Sequence, residues 1–393
     1  MTATPAWLAA ELQRLSDDNL VRPRREMASL GPGHGRVDGV DIVDFSSNDY
    51  LGLARHPRLQ AAAQALPSGA GASPLVSGRS PQYARLESEL AAFEHTESAL
   101  LFPSGFAANL GSVSALVGPG DVVFSDHDNH ASLIDGCRLS RARIRVYKRQ
   151  HLDTLHRQLT DAADAPRRLI VTDSLFSMDG VLAPLPELAQ LADAHDAMLL
   201  VDEAHATGVL GRVGRGACEA LDVEDKTTIR IGTLSKSLGT AGGFAVGSRT
   251  LLDYLWHRAR PQVFSTALPP ATCAAALEAL KILQEEPIRR EHLSRISDRL
   301  RQGVRDLGLQ DASTHGPIVT VMLGDPTSTL EASQQLLERG HFVPAIRPPT
   351  VKPGTSRLRI SLSAAHTESD IDNLLTALAP LSSSARCMTS SSQ

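Results

Sequence analysis

Four polar residues stand at or just beyond the ends of hydrophobic runs: Asp202 closes MLLVD, His205 follows it, Thr233 closes IRIGT, and Lys236 lies in the T-L-S-K turn behind. Together they suit a pyridine ring that carries an aldehyde. A lysine amine forms a Schiff base with an aldehyde, which removes the obstacle that its ordinary pKa lies well above neutrality. A carboxylate beside a pyridine nitrogen favours the protonated, electron-accepting ring by Coulomb attraction. His205 can donate to a phenolic oxygen on the same ring. Each residue also has a plainer reading: an acid ending a strand often caps the next turn, a lysine after serine is commonly solvated, and V-D-E-A-H alone suits a metal or structural loop. Their order and spacing favour one shared site.

A phosphate on such a ring needs an anion cradle. Ser104-Gly105-Phe106, within LLFPSGFAANLGSVSALVG, opens a helix whose first N–H groups and positive dipole end favour an anion, and Thr233 adds a hydroxyl. The alternative is a turn ahead of a buried helix. His130, in D-H-D-N-H, reads as a ring-stacking group, a zinc ligand or a hydrogen-bonded loop histidine; with no H-E-x-x-H and no second Cys/His cluster, the metal reading ranks low. There is no Walker A sequence and no G-x-S-x-G elbow, and GPGHGR at 31–36 does not complete G-x-G-x-x-G.

The elements that must position these groups alternate between 120 and 250. RLIVT (168–172), MLLVD (198–202), IRIGT (229–233) and FAVG (244–247) read as buried strands. LPELAQLADAHD (185–196) places Leu185, Leu188 and Leu191 on one helical face with Pro186 in the first turn. The pattern predicts an α/β fold with a mostly parallel central sheet flanked by helices, whose ligands bind beyond the strand ends. From Leu283 onward a charged helix, PIVTVML (317–323), a helix around LEASQQLLERG and RLRISLS (357–363) predict a smaller α+β domain. Thr367 and Asp370 form a T-x-x-D cap for the last helix. The expected division is an N-terminal helix and arm (1–45), a large domain (46–282), a small domain (283–382) and a Ser-rich, unstructured tail (383–393). No internal repeat is evident.

With 393 residues and 42% hydrophobic content the chain exceeds one comfortable core. Its 39 basic and 44 acidic residues give a net charge of -5 without long single-sign runs, so neither nucleic acid nor a membrane surface is an expected partner. Cys137, Cys218, Cys273 and Cys387 form no C-x-x-C pair, which fits a reducing, cytoplasmic setting. WLAAELQRLSDDNL reads as an amphipathic helix with Leu8, Leu12 and Leu15 on one face, not an export signal.

Across nearly its whole length the chain resembles the α-oxoamine synthases of the fold-type I pyridoxal-phosphate (PLP) enzymes. The resemblance is carried by FSSNDYLGL (45–53), LVSG (75–78), FPSGFAAN (102–109), HASL (130–133), DSLFSMDG (173–180), VDEAHATGVLG (201–211), GTLSKSLG (232–239), FSTALPP (264–270) and AIRPPTVKPGTSRLRISLSAAHT (345–367). It implies a PLP-dependent acyltransferase with Lys236, His130, Asp202 and His205 as catalytic residues. Lys236 would hold the cofactor and carry a proton, Asp202 would meet the pyridine nitrogen, His205 the ring hydroxyl, and His130 would stack on the ring. Ser104, Gly105, Phe106, Ser177 and Thr233 would complete the cofactor pocket. Arg359 would take an amino-acid carboxylate, and Arg22, Asn48 and Thr350, with His130, would face the substrates. The implied reaction condenses L-alanine with a pimeloyl thioester, on CoA or an acyl carrier protein, and expels CO2. Glycine or serine with another acyl group, and a catalytically silent PLP-fold module, remain open. The resemblance further implies a homodimer in which Ser265 and Thr266 reach the partner's cofactor. Glu203, Pro74 and Tyr83 depart from the family pattern, which puts the shape of the acyl channel in question.

Overall fold

The computed structural model describes residues 5–309 and 314–389. The chain forms two compact units: one comprises residues up to Ser47, Met178–Gly180 and the chain from Ser294 on, the other Asn48–Ser177 and Val181–Leu293.

The second unit is built on a seven-stranded sheet in the order Ser98–Phe102, Gly243–Gly247, Ile229–Thr233, Met198–Asp202, Arg168–Asp173, Val122–Asp126, Arg143–Tyr147. Gly243–Gly247 runs antiparallel to both its neighbours, and the other pairings are parallel. Alternation along each strand sends side chains to two cores, which is why these strands read as unbroken apolar runs. Ile170, Leu199 and Val201 face one core with Phe124 and Tyr147, closed by Leu155 and Leu159 of the helix Leu152–Thr160 and by Leu185 and Leu188 of Leu185–Ala194. Leu169, Val171 and Leu200 face the other, closed by the helices Gly105–Leu116, Ala131–Ser140 and Arg249–Arg258. All four strands expected between 168 and 247 are present, and each boundary lies within a residue of its sequence reading.

The first unit joins distant parts of the chain. Met27–Gly31, His34–Val37 and Val40–Asp44 form an antiparallel meander, and His341–Phe342 adds in parallel beside Val40–Asp44. Asp38 and Gly39, both at positive φ (51° and 85°), make the two-residue turn that sets Val37 opposite Val40. A three-stranded antiparallel sheet holds Ile318–Gly324, Ser356–Ser361 and Ala345–Ile346. Thr367 and Asp370 cap the last helix as expected: Asp370 accepts from the Thr367 N–H at 2.8 Å, and Thr367 Oγ1 accepts from the Asp370 N–H at 3.1 Å. That helix runs Glu368–Thr389, past the point where an unstructured tail was expected. Buried Leu374 and Leu378 anchor it, and extending an anchored helix costs little per residue. Residues 390–393 lie outside those described. The N-terminal helix Ala6–Asp17 leaves Leu12 63% exposed. Among the described residues no helix is long and apolar enough to cross a membrane.

His366 gives this unit a pH dependence. Its Nδ1 accepts from the Ser363 N–H at 3.1 Å, its Nε2 faces the Asp44 carbonyl at 3.0 Å, and burial pushes its pKa from the ordinary 6.5 down to about 4. The folded state therefore binds the proton less well than the unfolded chain. The stability this confers is complete above about pH 6.5 and is lost as pH falls toward 4. Between pH 7 and pH 5 urea unfolding should lose about 2 kcal/mol from this residue, and His366→Gln should flatten that slope. Parallel slopes for the two proteins would refute the assignment.

Candidate active site

Parallel strands end together, so Asp173, Asp202 and Thr233 lie along one edge of the sheet; Asp173 pairs with Asp202 in register. The antiparallel Gly243–Gly247 begins between Phe102 and Thr233, and this brings Ser104 and Gly105 to the same edge. No side chain fits at Gly243, where a Cβ would stand 2.5 Å from the Gly105 nitrogen. At Gly105 a Cβ would stand 3.3 Å from the Thr233 Cβ. Glycine thus lets the start of the helix Gly105–Leu116 approach Thr233. Ser104 caps that helix by accepting from the Ala107 N–H at 3.1 Å, and the N–H groups of Gly105 and Phe106 have no acceptor within the helix.

Asp202 is 5% exposed; its Oδ1 accepts from the Ala204 N–H at 2.8 Å and its Oδ2 from Asn109 Nδ2 at 2.5 Å. His130 caps the helix Ala131–Ser140, receives a hydrogen bond at Nδ1 from the Ser132 side of that cap, and meets the Phe106 ring edge-on at 6.2 Å. Burial holds its pKa below the ordinary histidine value against the pull of Asp202, while Lys236 pushes the same way as burial. Asp173 accepts from the His130 N–H at 2.9 Å. Burial, then the neighbouring Asp202 charge, pushes its carboxyl well above the usual range.

His205 packs against Tyr50, whose hydroxyl lies 2.6 Å from His205 Nδ1 and donates to Asn48 Oδ1 at 3.1 Å. Lys236 sits in a loop fastened on both sides. Ser237 Oγ donates to the Thr207 carbonyl at 2.7 Å, tying this loop to the one after Asp202. Gly239, at φ 61°, passes so near Leu53 and Ala54 that a Cβ would stand 2.5 Å from the Ala54 nitrogen. Thr233 Oγ1 lies 2.8 Å from Ser235 Oγ and donates to the Gly242 carbonyl at 2.9 Å. Ser177 occupies a turn after Asp173.

Asn48, Ser104, Gly105, Phe106, His130, Ser177, Asp202, His205, Thr233 and Lys236 all belong to the second unit, whereas Arg22, Thr350 and Arg359 belong to the first. There Arg22 donates to Thr350 Oγ1 at 2.9 Å, and Arg359 is buried on Ser356–Ser361 opposite Thr320. Tyr50, Asn109, Ser132 and Asp173 were not singled out from sequence. All four lie inside motifs quoted above, but nothing local reveals which partner each one meets. Within D-H-D-N-H, Asn129 accepts from the Asp173 N–H at 3.0 Å, while the two acids serve a different cluster: Arg149 donates to Asp128 at 2.8 Å and to Asp126 at 3.4 Å.

The donor set fits PLP. Asp202 can accept from a pyridinium N–H, His130 is a neutral ring available for stacking, Lys236 offers an amine, and the bare N–H groups beside Thr233 suit a phosphate. Such a site on such a sheet defines a fold-type I PLP enzyme. Among known proteins, residues 40–378 match the aminotransferase class I and II family. An 8-amino-7-oxononanoate synthase from Anaeromyxobacter sp. (strain K) is 50% identical over 380 residues, covering 95% of this chain and 94% of that protein. Two solved structures are similar. A serine palmitoyltransferase variant from S. paucimobilis with bound PLP has 33% identity, a TM-score of 0.91 and 97% coverage of both chains. The 8-amino-7-oxononanoate synthase from Francisella tularensis has 31% identity, a TM-score of 0.75, and covers 88% of this chain and 99% of its own. The chain belongs to the aminotransferase class I and II family, and within it to the 8-amino-7-oxononanoate synthases. Its cofactor is PLP.

The Tyr50 contact yields a prediction. Tyr50→Phe removes the hydroxyl from His205 Nδ1 and should lower kcat/KM about tenfold with little change in melting temperature. An unchanged kcat/KM would make the contact incidental.

Proposed function

We propose that the protein is an acyltransferase that condenses L-alanine with a pimeloyl thioester to give 8-amino-7-oxononanoate, CO2 and a free thiol, a step of biotin biosynthesis. The observation that supports the site reading is the convergence of three loops: Asp202 pairs in register with Asp173, which accepts from the His130 N–H at 2.9 Å, and Ser237 ties the Lys236 loop to the Thr207 carbonyl after Asp202 at 2.7 Å.

Bound here, PLP supplies an aldehyde for covalent capture of amines and a protonated ring that stores electrons. Ser104, Gly105, Phe106, Ser177 and Thr233 would hold it, the helix N-terminus supplying N–H groups for the phosphate. Asp202 would keep the ring nitrogen charged, His205 would donate to the ring hydroxyl, and His130 would stack on the ring. Arg359 orients alanine by its carboxylate. The Lys236 amine takes the alanine Cα proton. A bond then forms from Cα to the thioester carbonyl carbon as the C–S bond breaks, and the thiolate leaves, taking a proton from solvent. The alanine carboxylate departs as CO2, and Lys236 returns a proton to Cα. Arg22, Asn48 and Thr350 line the path of the substrates, whose thioester is carried by CoA or by an acyl carrier protein.

The working form is a homodimer in the cytoplasm. Val76 (80% exposed) and Phe264 (70% exposed) lie on segments packed together, Pro74–Gly78 and Arg260–Phe264, and such apolar exposure suits a second copy of the chain. Ser265 and Thr266 follow directly and would reach the partner's cofactor.

The test is thiol release from pimeloyl-CoA by the PLP-loaded protein with L-alanine, glycine or serine. One methyl is worth about 1–3 kcal/mol of discrimination, so alanine should lead glycine by roughly tenfold or more. Equal or faster release with glycine or serine would transfer the protein to another oxoamine synthesis. No release with any of them, despite bound PLP, would favour a silent module.

A further inference from the structure

Asp202 and His130 are joined by two side chains that the reading above leaves without a role. Asn109 Nδ2 carries two hydrogens and uses both, one toward Asp202 Oδ2 at 2.5 Å and one toward Ser132 Oγ at 2.9 Å. Turning the amide over would set its oxygen against the carboxylate, so its orientation is fixed. Ser132 Oγ, having accepted from Asn109, lies 2.7 Å from His130 Nδ1, which also accepts from the Ser132 N–H at 3.3 Å. Nδ1 is thereby an acceptor, and the neutral imidazole carries its proton on Nε2. A protonated His130 would place a second donor on Ser132 and strand the serine proton in a fully buried position. Burial of His130 acts in the same direction by lowering its pKa.

The asparagine has a cost that a packing residue would avoid. Asn109 is buried and its Oδ1 has no hydrogen-bond donor. A leucine of the same shape would remove that loss, so the two N–H groups are the reason for the residue type.

We propose that Asn109 is a positioning residue for the cofactor site, holding through one carboxamide both the carboxylate meant for the ring nitrogen and, by way of Ser132, the tautomer of the imidazole meant for the ring face. This rests on the cofactor roles of Asp202 and His130 proposed above. It couples them: the donor that orients the acid also forces the serine to donate onward.

The experiment uses PLP-loaded protein. In Asn109→Leu the PLP dissociation constant should rise about tenfold or more, since a hydrogen bond to a charged group is lost. The pH midpoint of the ~420 nm cofactor band should move by about one unit, as the charge facing the ring nitrogen is no longer held in place. The melting temperature of the cofactor-free protein should stay near that of the wild type, which a packing role would not allow. Ser132→Ala cuts only the second branch. It should leave the band midpoint in place while the 15N shift of His130 Nδ1 moves, because the hydroxyl at 2.7 Å is lost and only the longer bond from the residue 132 N–H remains.

A dissociation constant within about twofold of wild type together with an unmoved midpoint in Asn109→Leu would overturn the proposal. So would an unchanged His130 Nδ1 shift in Ser132→Ala, which decides the matter should Asn109→Leu not fold. Borohydride labelling separates this from the parent reading. A wild-type protein with no label on Lys236 refutes the cofactor assignment itself, whereas a label on Lys236 with unaffected variants refutes only the role of Asn109.

Discussion

Lys236→Ala is expected to abolish thiol release and to erase the ~420 nm band even at saturating PLP, because the amine proposed to bond the aldehyde is gone. The loss should reach about 10⁴-fold, since the same side chain is also proposed to move the Cα proton and general acid–base transfer alone contributes up to that factor. The fold should survive: Lys236 is half-buried on a loop fastened by Ser237 and Gly239, not part of either core. An exogenous amine should restore part of the proton transfer. Retention of the band in this variant, or a borohydride tag on a different peptide, would remove Lys236 from the centre of the site.

Asp202→Asn should be nearly as damaging and leaves a different trace. The exchange keeps the shape but removes the charge that holds a pyridine nitrogen protonated, and it sets an amide against the Asn109 donor. Activity should fall about 10³-fold with the Lys236 attachment intact. The neighbouring Asp173 should respond as well. Its carboxyl is pushed up by burial first and by the Asp202 charge second, so neutralising Asp202 should bring its pKa down only part of the way. Full activity in Asp202→Asn, or an Asp173 titration that does not move, would contradict this electrostatic account.

The parallel strands were legible because burial on both faces leaves a purely local mark, a short apolar run that ends in a polar residue. Asp202 and Thr233 stood out for that reason, and Lys236 by its distance from Thr233. The direction of Gly243–Gly247 was also open to inference: Leu234–Gly242 is too short for the crossover that a parallel neighbour needs. The links of Asp202 to Asn109, of Asn109 to Ser132, and of Tyr50 to His205 were not legible, because each joins residues far apart in the chain and depends on strand order. The departures at Glu203 and Tyr83 turn out to serve the scaffold. Glu203 is buried and accepts from Ser174 Oγ and from the N–H groups of Ala217 and Cys218, while Tyr83 donates to the Leu101 carbonyl. Pro74 opens the single turn Pro74–Gly78. The start of the tail was misread because a serine-rich composition gives no sign that a helix buried upstream will carry on into it as far as Thr389.

The pairing of Val40–Asp44 with His341–Phe342 bears on how the polypeptide matures. The unit made of residues 48–177 and 181–293 has every strand of its sheet in hand once its last helix has left the ribosome, and it can assemble while translation continues. The other unit has to wait, because an edge offered early in synthesis stays bare until nearly nine-tenths of the chain has emerged. Nascent chains stalled between these two points should resist protease over the middle of the sequence and be cut within the first forty-odd residues.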